Sequence, residues 1–327
     1  MSPLVAVDSL TKLFPVKRRV FALRVRHYVH AVDGVSFAVE EGEIFGLVGE
    51  SGCGKTTTGK LLVKLLEPTS GRIVLEGQDI TRLRRGPALR AFRRKVQMIF
   101  QDPYESLNPR FTVFDTIAEP LWIHGVRSLA EREARVAEIL AQVGLTPPET
   151  FMFRYPHELS GGQRQRVAIA RAMVVHPKFV VADEPTSMLD VSIRAGIMDL
   201  LLGLRQELGV SYLYITHDLA VARYMCDRLA VMYLGKIVEV GPTEEVLQNP
   251  LHPYTQALIA AVPVPDPTYT RAPPEIKGDV VAAVNPPPQC RFLPRCPRAQ
   301  DLCRTAPHPP LVEHRDHGVA CYLAGHG

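Results

Sequence analysis

Gly49-Glu50-Ser51-Gly52-Cys53-Gly54-Lys55-Thr56 decides how this chain is read, because of what flanks it. An apolar, β-rich run, Ile44 to Val48, precedes it, and a helical pattern from Thr56 to Leu66 follows, so the glycines form the turn of a strand–loop–helix unit. Glycines at 49, 52 and 54, with Ser51 and Cys53 between them, let backbone N–H groups curl round phosphate oxygens. The helix N-terminus behind them adds a favourable dipole. In this P-loop pattern Lys55 reaches the β- and γ-phosphates, the Thr56 hydroxyl ligates Mg²⁺, and Thr57 supports the cradle. The thiol of Cys53 is assigned no chemistry.

Outward from this loop, the whole chain has 327 residues, enough for about two domains. Lys plus Arg is 38 and Asp plus Glu is 34, a net charge of +4 that argues against a dedicated nucleic-acid binder. Hydrophobic residues make up 46%, and the mean hydropathy of +0.02 is that of a soluble globular protein. No run approaches the roughly 18 apolar residues of a membrane span. Lys17, Arg18, Arg19, Arg24 and Arg26 break up any secretory segment. The expectation is residence in the cytoplasm, where disulfides are disfavoured.

Strand-like runs at Val32–Val39, Arg72–Leu75, Val96–Phe100, Phe179–Ala182, Tyr212–Ile215 and Leu229–Tyr233 alternate with helical segments. That order predicts an α/β fold with a mostly parallel sheet. Val113 to Val143 has helical periodicity and ends at Gly144, predicting an α-helical insert. The basic stretch Arg82 to Lys95 reads as a solvated helical face rather than a nucleic-acid patch. Thirteen of the 28 prolines fall between Pro263 and Pro310, marking a loop-rich C-terminal region.

A nucleotide enzyme needs an acid for its metal and a base for the attacking water. Asp183-Glu184 supplies both at the end of a strand-like run, with Asp183 serving Mg²⁺ and Glu184 polarising water. Leu159-Ser160-Gly161-Gly162-Gln163 precedes a helix, Arg164 to Val175; there Ser160 resembles an N-cap and the two glycines leave amides free for an anion.

A P-loop, a Ser-Gly-Gly-Gln turn and an acidic strand end, in that order, resemble the ATP-binding-cassette family, Ser160 to Gln163 being its signature sequence. The resemblance covers nearly the whole chain. It implies an ABC ATPase core with an antiparallel β subdomain and an α-helical signature subdomain at about 102–176. Gln101, in Phe100-Gln101-Asp102-Pro103, looks like the Q-loop glutamine that meets metal and water. Ser187-Met188-Leu189-Asp190 resembles the D-loop, although the family more often has Ala at the second place. His217 matches the switch histidine at the γ-phosphate. Phe14 stands where the family stacks an aromatic on adenine, with Phe21 and Tyr28 as competitors.

Within the family, Phe100 to Tyr104, Ser106-Leu107-Asn108-Pro109, Gly241-Pro242 and Pro250 to Thr255 are similar to the ATPase subunits of dipeptide and oligopeptide importers. Nickel importers share much of this pattern. A soluble cassette acting on ribosomes or DNA is a more distant alternative. The expected division is a cassette at 1–262 and a C-terminal region of the oligopeptide-transporter type at 263–327.

That region carries Cys290, Cys296, Cys303 and Cys321, a C-x5-C-x6-C-x17-C array that suits tetrahedral Zn²⁺ or an iron–sulfur centre. The resemblance implies a [4Fe–4S] cluster, with zinc the alternative and His314 and His317 as substitute zinc ligands. It further implies a head-to-tail pair with a second homologous ATPase subunit and two transmembrane permease subunits. An extracytoplasmic peptide-binding protein would deliver substrate, and the chain would sit peripherally on the cytoplasmic face of the membrane.

Overall fold

The computed structural model describes residues 2–16, 27–262, 276, 283–314 and 317–324. The chain divides into two compact units. One comprises Met1–Val39, Ile44–Thr81 and Ile215–Gly327, the other Glu40–Glu43 and Arg82–Tyr214.

The first unit opens with β1 (Val5–Val16) and β2 (His27–Val39), paired antiparallel from Val5 opposite Val39 to Val16 opposite His27. The strand expected at Val32–Val39 is therefore longer, because β1 supplies partners all the way to His27. Between Val7 and Leu10 the register shifts, and Ser9, at φ 48°, takes up the extra residue as a bulge. β3 (Ile44–Val48) is buried throughout and leads through the glycine loop into α1 (Lys55–Leu62). This helix stops short of the expected Leu66. Lys64 turns to φ 58°, and the N–H groups of Leu65 and Leu66 return to the Lys60 carbonyl, a left-handed closure of the last turn. β4 (Ser70–Leu75) and β5 (Gln78–Asp79) complete an antiparallel sheet of order β2-β1-β4-β5.

The second unit begins with α2 (Pro87–Lys95), which buries Phe92 and exposes Arg90, Arg93 and Arg94 as a solvated basic face. Next come β6 (Val96–Ile99), α3 (Pro103–Ser106), α4 (Val113–Ile123), α5 (Leu129–Gln142), α6 (Glu149–Met152) and α7 (Gly161–Met173). A reciprocal capping box between Thr112 and Asp115 starts α4, and the Ser128 side chain caps α5. Ile117, Leu121, Val136, Ile139, Leu140 and Val167, spaced three or four apart on their helices, form the core of this helical segment. β7 (Phe179–Asp183), α8 (Val191–Leu208) and β8 (Ser211–Thr216) close the unit, in the strand order β8-β7-β6 with β6 and β7 parallel. β7 and β8 are buried along their whole length, as strands covered on both faces must be.

The chain re-enters the first unit through α9 (Leu219–Met225), β9 (Arg228–Tyr233), β10 (Lys236–Pro242), α10 (Thr243–Gln248), α11 (Pro253–Ala261), α12 (Asp301–Thr305), β11 (Val312–His314) and β12 (His317–Val319). The strands here run β11-β12-β10-β9-β3. β9 is parallel to β3, and the remaining pairs are antiparallel. The C-terminal residues thus add two strands to the sheet that carries the glycine loop. Glu239 of β10 is fully buried and accepts from the Leu251 and His252 N–H groups at 2.7 and 3.0 Å, with His317 Nε2 at 2.9 Å. Those contacts offset the cost of burying a carboxylate. Among the described residues no helix is long and apolar enough to cross a membrane.

Candidate functional site

In the first unit the loop after β3 has Gly49, Gly52 and Gly54 at φ 151°, 77° and 113°. At two of these positions there is also no room for a side chain. A Cβ on Gly49 would lie 2.2 Å from the Met232 carbonyl oxygen, and one on Gly54 2.0 Å from that of Ala31. Lys55 is only 5% exposed. Its Nζ donates to the carbonyls of Gly49 at 2.7 Å and Glu50 at 3.0 Å, so the loop closes round the ammonium. Gly54, the N-cap of α1, makes no side-chain cap hydrogen bond, and the N-terminus of the helix lies beside the cation. Thr56 and Thr57 follow, half-buried. Burial pushes the Cys53 thiol up, with Lys55 opposing, so Cys53 stays a neutral packing residue.

His217 follows β8 and is exposed, while Asp218 caps α9 by accepting from the Ala220 and Val221 N–H groups. Phe14 lies on β1 opposite Val29, half-buried, with Lys12 Nζ 5.1 Å over its ring. Tyr28 pairs with Pro15 on the same ladder. Phe21 lies outside the described residues.

In the second unit β7 delivers Asp183, 3% exposed, at its C-terminal end, and Glu184 directly after it. Glu184 has φ 46°, a left-handed conformation that costs a non-glycine residue on the order of 1–3 kcal/mol. The turn brings its carboxylate to Gln101, whose Nε2 donates to Glu184 Oε2 at 3.0 Å. The Ser187 hydroxyl donates to the Glu184 carbonyl at 3.0 Å and supports the turn. Gln101 and Glu184, 83 positions apart, thus form one pair. Ser160 caps α7 in a reciprocal box, its Oγ accepting from the Gln163 N–H at 3.3 Å and its own N–H donating to Gln163 Oε1 at 3.0 Å. That bonding leaves the amides of Gly161 and Gly162 uncapped by any side chain. Gly162 has no room for a side chain either, since a Cβ would lie 2.8 Å from Ile193 Cγ2. Asp190 begins α8, exposed and without a side-chain capping bond.

The four C-terminal cysteines are all free thiols. The Cys290 N–H donates to the Cys303 carbonyl at 3.1 Å. Burial pushes the Cys290 thiol up to about 11, and Cys303, Cys321 and Cys296 add to that rise. As donors they suit a soft metal. They do not stand as a formed cage, because among the described residues no three His, Cys, Asp or Glu side chains converge to hold a metal ion. The expected substitute ligand His317 instead turns its Nε2 to Glu239.

Sequence reasoning gave no role to two residues that touch the phosphate loop. Tyr254 accepts the Glu50 N–H at 2.9 Å, and Arg295 grips the Glu50 carboxylate. The first signal lay in the Pro-Tyr-Thr motif of α11. The second had none beyond an arginine next to a cysteine.

A strand-to-helix phosphate loop, an acidic strand end bonded to a glutamine, and a glycine-rich helix cap are the parts of a nucleotide-hydrolysing cassette. The ABC transporter family matches residues 32–187, and the "Oligopeptide/dipeptide transporter, C-terminal region" family matches residues 238–303. The chain belongs to the ABC transporter ATP-binding proteins, which bind and hydrolyse Mg-ATP. It is 49% identical, over 98% of its own length and 90% of the relative's, to the "Probable peptide ABC transporter ATP-binding protein y4tS" of Sinorhizobium fredii. It is 45% identical, over 96% of its length and 95% of the relative's, to the "Oligopeptide transport ATP-binding protein AppF" of Bacillus subtilis. Among solved structures, the dimeric cassette MJ0796 in a post-hydrolysis state with ADP and Pi superposes with a TM-score of 0.64. It is 31% identical and covers 73% of this chain and 98% of that one.

Proposed function

We propose that this chain is the ATPase subunit of an importer of di- or oligopeptides, and that it uses ATP as one half of a head-to-tail dimer. The observation that carries this is near-full-length identity of 45–49% to peptide and oligopeptide transport proteins. A match to the oligopeptide transporter C-terminal region covers residues 238–303, beyond the 32–187 matched by the ABC transporter family. In this reading residues 1–262 are the cassette, about 102–176 its signature subdomain, and 263–327 the C-terminal region. Two permease subunits and an extracytoplasmic binding protein complete the assembly, with this chain peripheral on the cytoplasmic face. Trp122, Ile123, Phe153 and Tyr155, exposed in the helical segment, supply apolar surface for a permease contact. Co-purification with two permeases and a binding protein that retains peptides tests the assignment; a complex that imports only nickel would overturn it.

Each side chain then has a task. Lys55 faces the β- and γ-phosphates, and the N-terminal amides of α1 receive their oxygens. Thr56, Asp183 and Gln101 hold Mg²⁺, which when bound neutralises phosphate charge. Glu184 takes the proton of the attacking water, with Gln101 fixing its carboxylate and His217 contacting the γ-phosphate. Phe14 stacks on adenine. Asp190 and the turn Ser160–Gln163 meet the nucleotide held by the partner, Gly161 and Gly162 donating their amides. Ser160→Arg is expected to leave nucleotide binding to the isolated chain unchanged while abolishing ATP-dependent dimerisation, as read by size-exclusion chromatography. Wild-type dimerisation by that variant would refute the head-to-tail arrangement.

Cys290, Cys296, Cys303 and Cys321 would hold a [4Fe–4S] cluster, or Zn²⁺ in its place. Either would act as a staple for a segment with little core of its own. Anaerobically purified protein is expected to absorb broadly near ~400 nm, and Cys303→Ser to remove most of that absorbance, since a hydroxyl replaces a soft thiolate poorly. Colourless protein with stoichiometric zinc would replace the cluster by zinc, and four freely reactive thiols would discard both.

A further inference from the structure

The four-cysteine segment is tied to the phosphate loop by a charged fork. Arg295, which directly precedes Cys296, is 8% exposed, and its Nη1 and Nη2 donate to Glu50 Oε2 and Oε1 at 2.7 and 3.1 Å. Glu50 is the second residue of the loop, and it is held at two further points. Its N–H donates to the Tyr254 hydroxyl at 2.9 Å, and its carbonyl accepts from Lys55 Nζ at 3.0 Å. The C-terminal segment, α11 and the phosphate-binding lysine therefore meet on one residue.

What holds Arg295 is itself well packed. The rings of Tyr233, Tyr254 and Phe292 lie 4.6 to 5.5 Å apart, and the Arg295 N–H donates to the Phe292 carbonyl at 2.9 Å. His252, held neutral because burial pushes it down to about 3, accepts the Tyr254 N–H at Nδ1 and so seats the tyrosine. Directly after Cys290, Arg291 pairs with Asp33 of β2, which also faces Lys236. The Glu50 carboxylate keeps Arg295 firmly protonated. Removing the guanidinium would leave a part-buried carboxylate unpaired on the loop that must receive anionic phosphates.

We propose that Arg295 is a positioning residue for the phosphate loop, so that nucleotide affinity depends on the folded four-cysteine segment. By thermodynamic reciprocity, bound nucleotide stabilises that segment. The inference rests on Gly49–Thr56 being the nucleotide site, which Lys55→Ala tests separately.

The experiment is a mutant cycle on the full chain, read by equilibrium binding of a fluorescent ADP analogue, with circular dichroism as a control for folding. Arg295→Met is expected to weaken binding about tenfold, and Arg295→Lys, which keeps the charge but not the fork, to recover part of it. In a Glu50→Gln background the same Arg295→Met change is expected to alter affinity by less than about twofold, because the partner it served is gone. In the wild-type chain, saturating ADP is expected to slow backbone hydrogen exchange across residues 289–305, and in Arg295→Met to leave it unchanged. A folded Arg295→Met chain with wild-type affinity overturns the proposal. So does an equal loss in both backgrounds. If Arg295→Met fails to fold, the wild-type exchange decides alone: protection by ADP supports the linkage, and indifference to ADP overturns it.

Discussion

Glu184→Gln is expected to bind Mg-ATP as the wild type does while its steady-state hydrolysis falls by about 10²–10⁴-fold, the span of a lost general base. The amide still accepts the bond from Gln101 Nε2 that now reaches Glu184 Oε2 at 3.0 Å, so the geometry of the pair survives. What disappears is a group able to take a proton from water. In the proposed head-to-tail dimer ATP binding then closes the pair without a route to reopen it, and ATP-dependent dimers should accumulate on a sizing column. Phosphate release from the assembled transporter checks the chemical step. Turnover near wild type would remove Glu184 from the base role and leave it as a strained turn residue.

Lys55→Ala is expected to act on binding instead. The ammonium is buried and held by two carbonyls of its own loop, at 2.7 and 3.0 Å, so in the proposed site it is pre-placed for the phosphates. Two charge-assisted hydrogen bonds at about 1.5–3 kcal/mol each correspond to an affinity loss of roughly 10²-fold or more. Equilibrium dialysis with labelled ATP measures it directly. Thermal denaturation without nucleotide shows whether the orphaned Gly49 and Glu50 carbonyls also lower stability. Unchanged ATP affinity would contradict the reading of the whole loop.

The two substitutions separate binding from chemistry, and the residues behind them differ in how visible they were. Lys55 sits in an eight-residue string whose glycines are forced by local backbone geometry, so it could be assigned from the string alone. Glu184 could be nominated as an acid at a strand end. Its bond to Gln101 depends on chain 83 positions away, and its left-handed φ of 46° is visible only in the structure. Ser160 was legible as a helix cap because a cap is a relation among four consecutive residues. The end of α1 was overestimated by four residues because the apolar pattern continues past Leu62, while the backbone turns left-handed at Lys64.

Short-range chemistry was thus determined by the sequence itself: the phosphate loop, the acidic end of β7, the capping boxes of α4 and α7, and the proline-rich character of the C-terminal stretch. Each depends on neighbours a few residues apart, where steric and hydrogen-bonding rules act without reference to the rest of the chain. Tertiary structure alone decided that β1 pairs with both β2 and β4, and that β12 adds its residues to β10. It also placed Arg291 on Asp33 and Arg295 on Glu50, contacts that span 258 and 245 positions. Such contacts have no local signature, because an arginine beside a cysteine has the same backbone preferences whether or not a carboxylate awaits it. Its partner exists only once the sheet has assembled and the packing of Tyr233, Tyr254 and Phe292 has set the guanidinium against the phosphate loop.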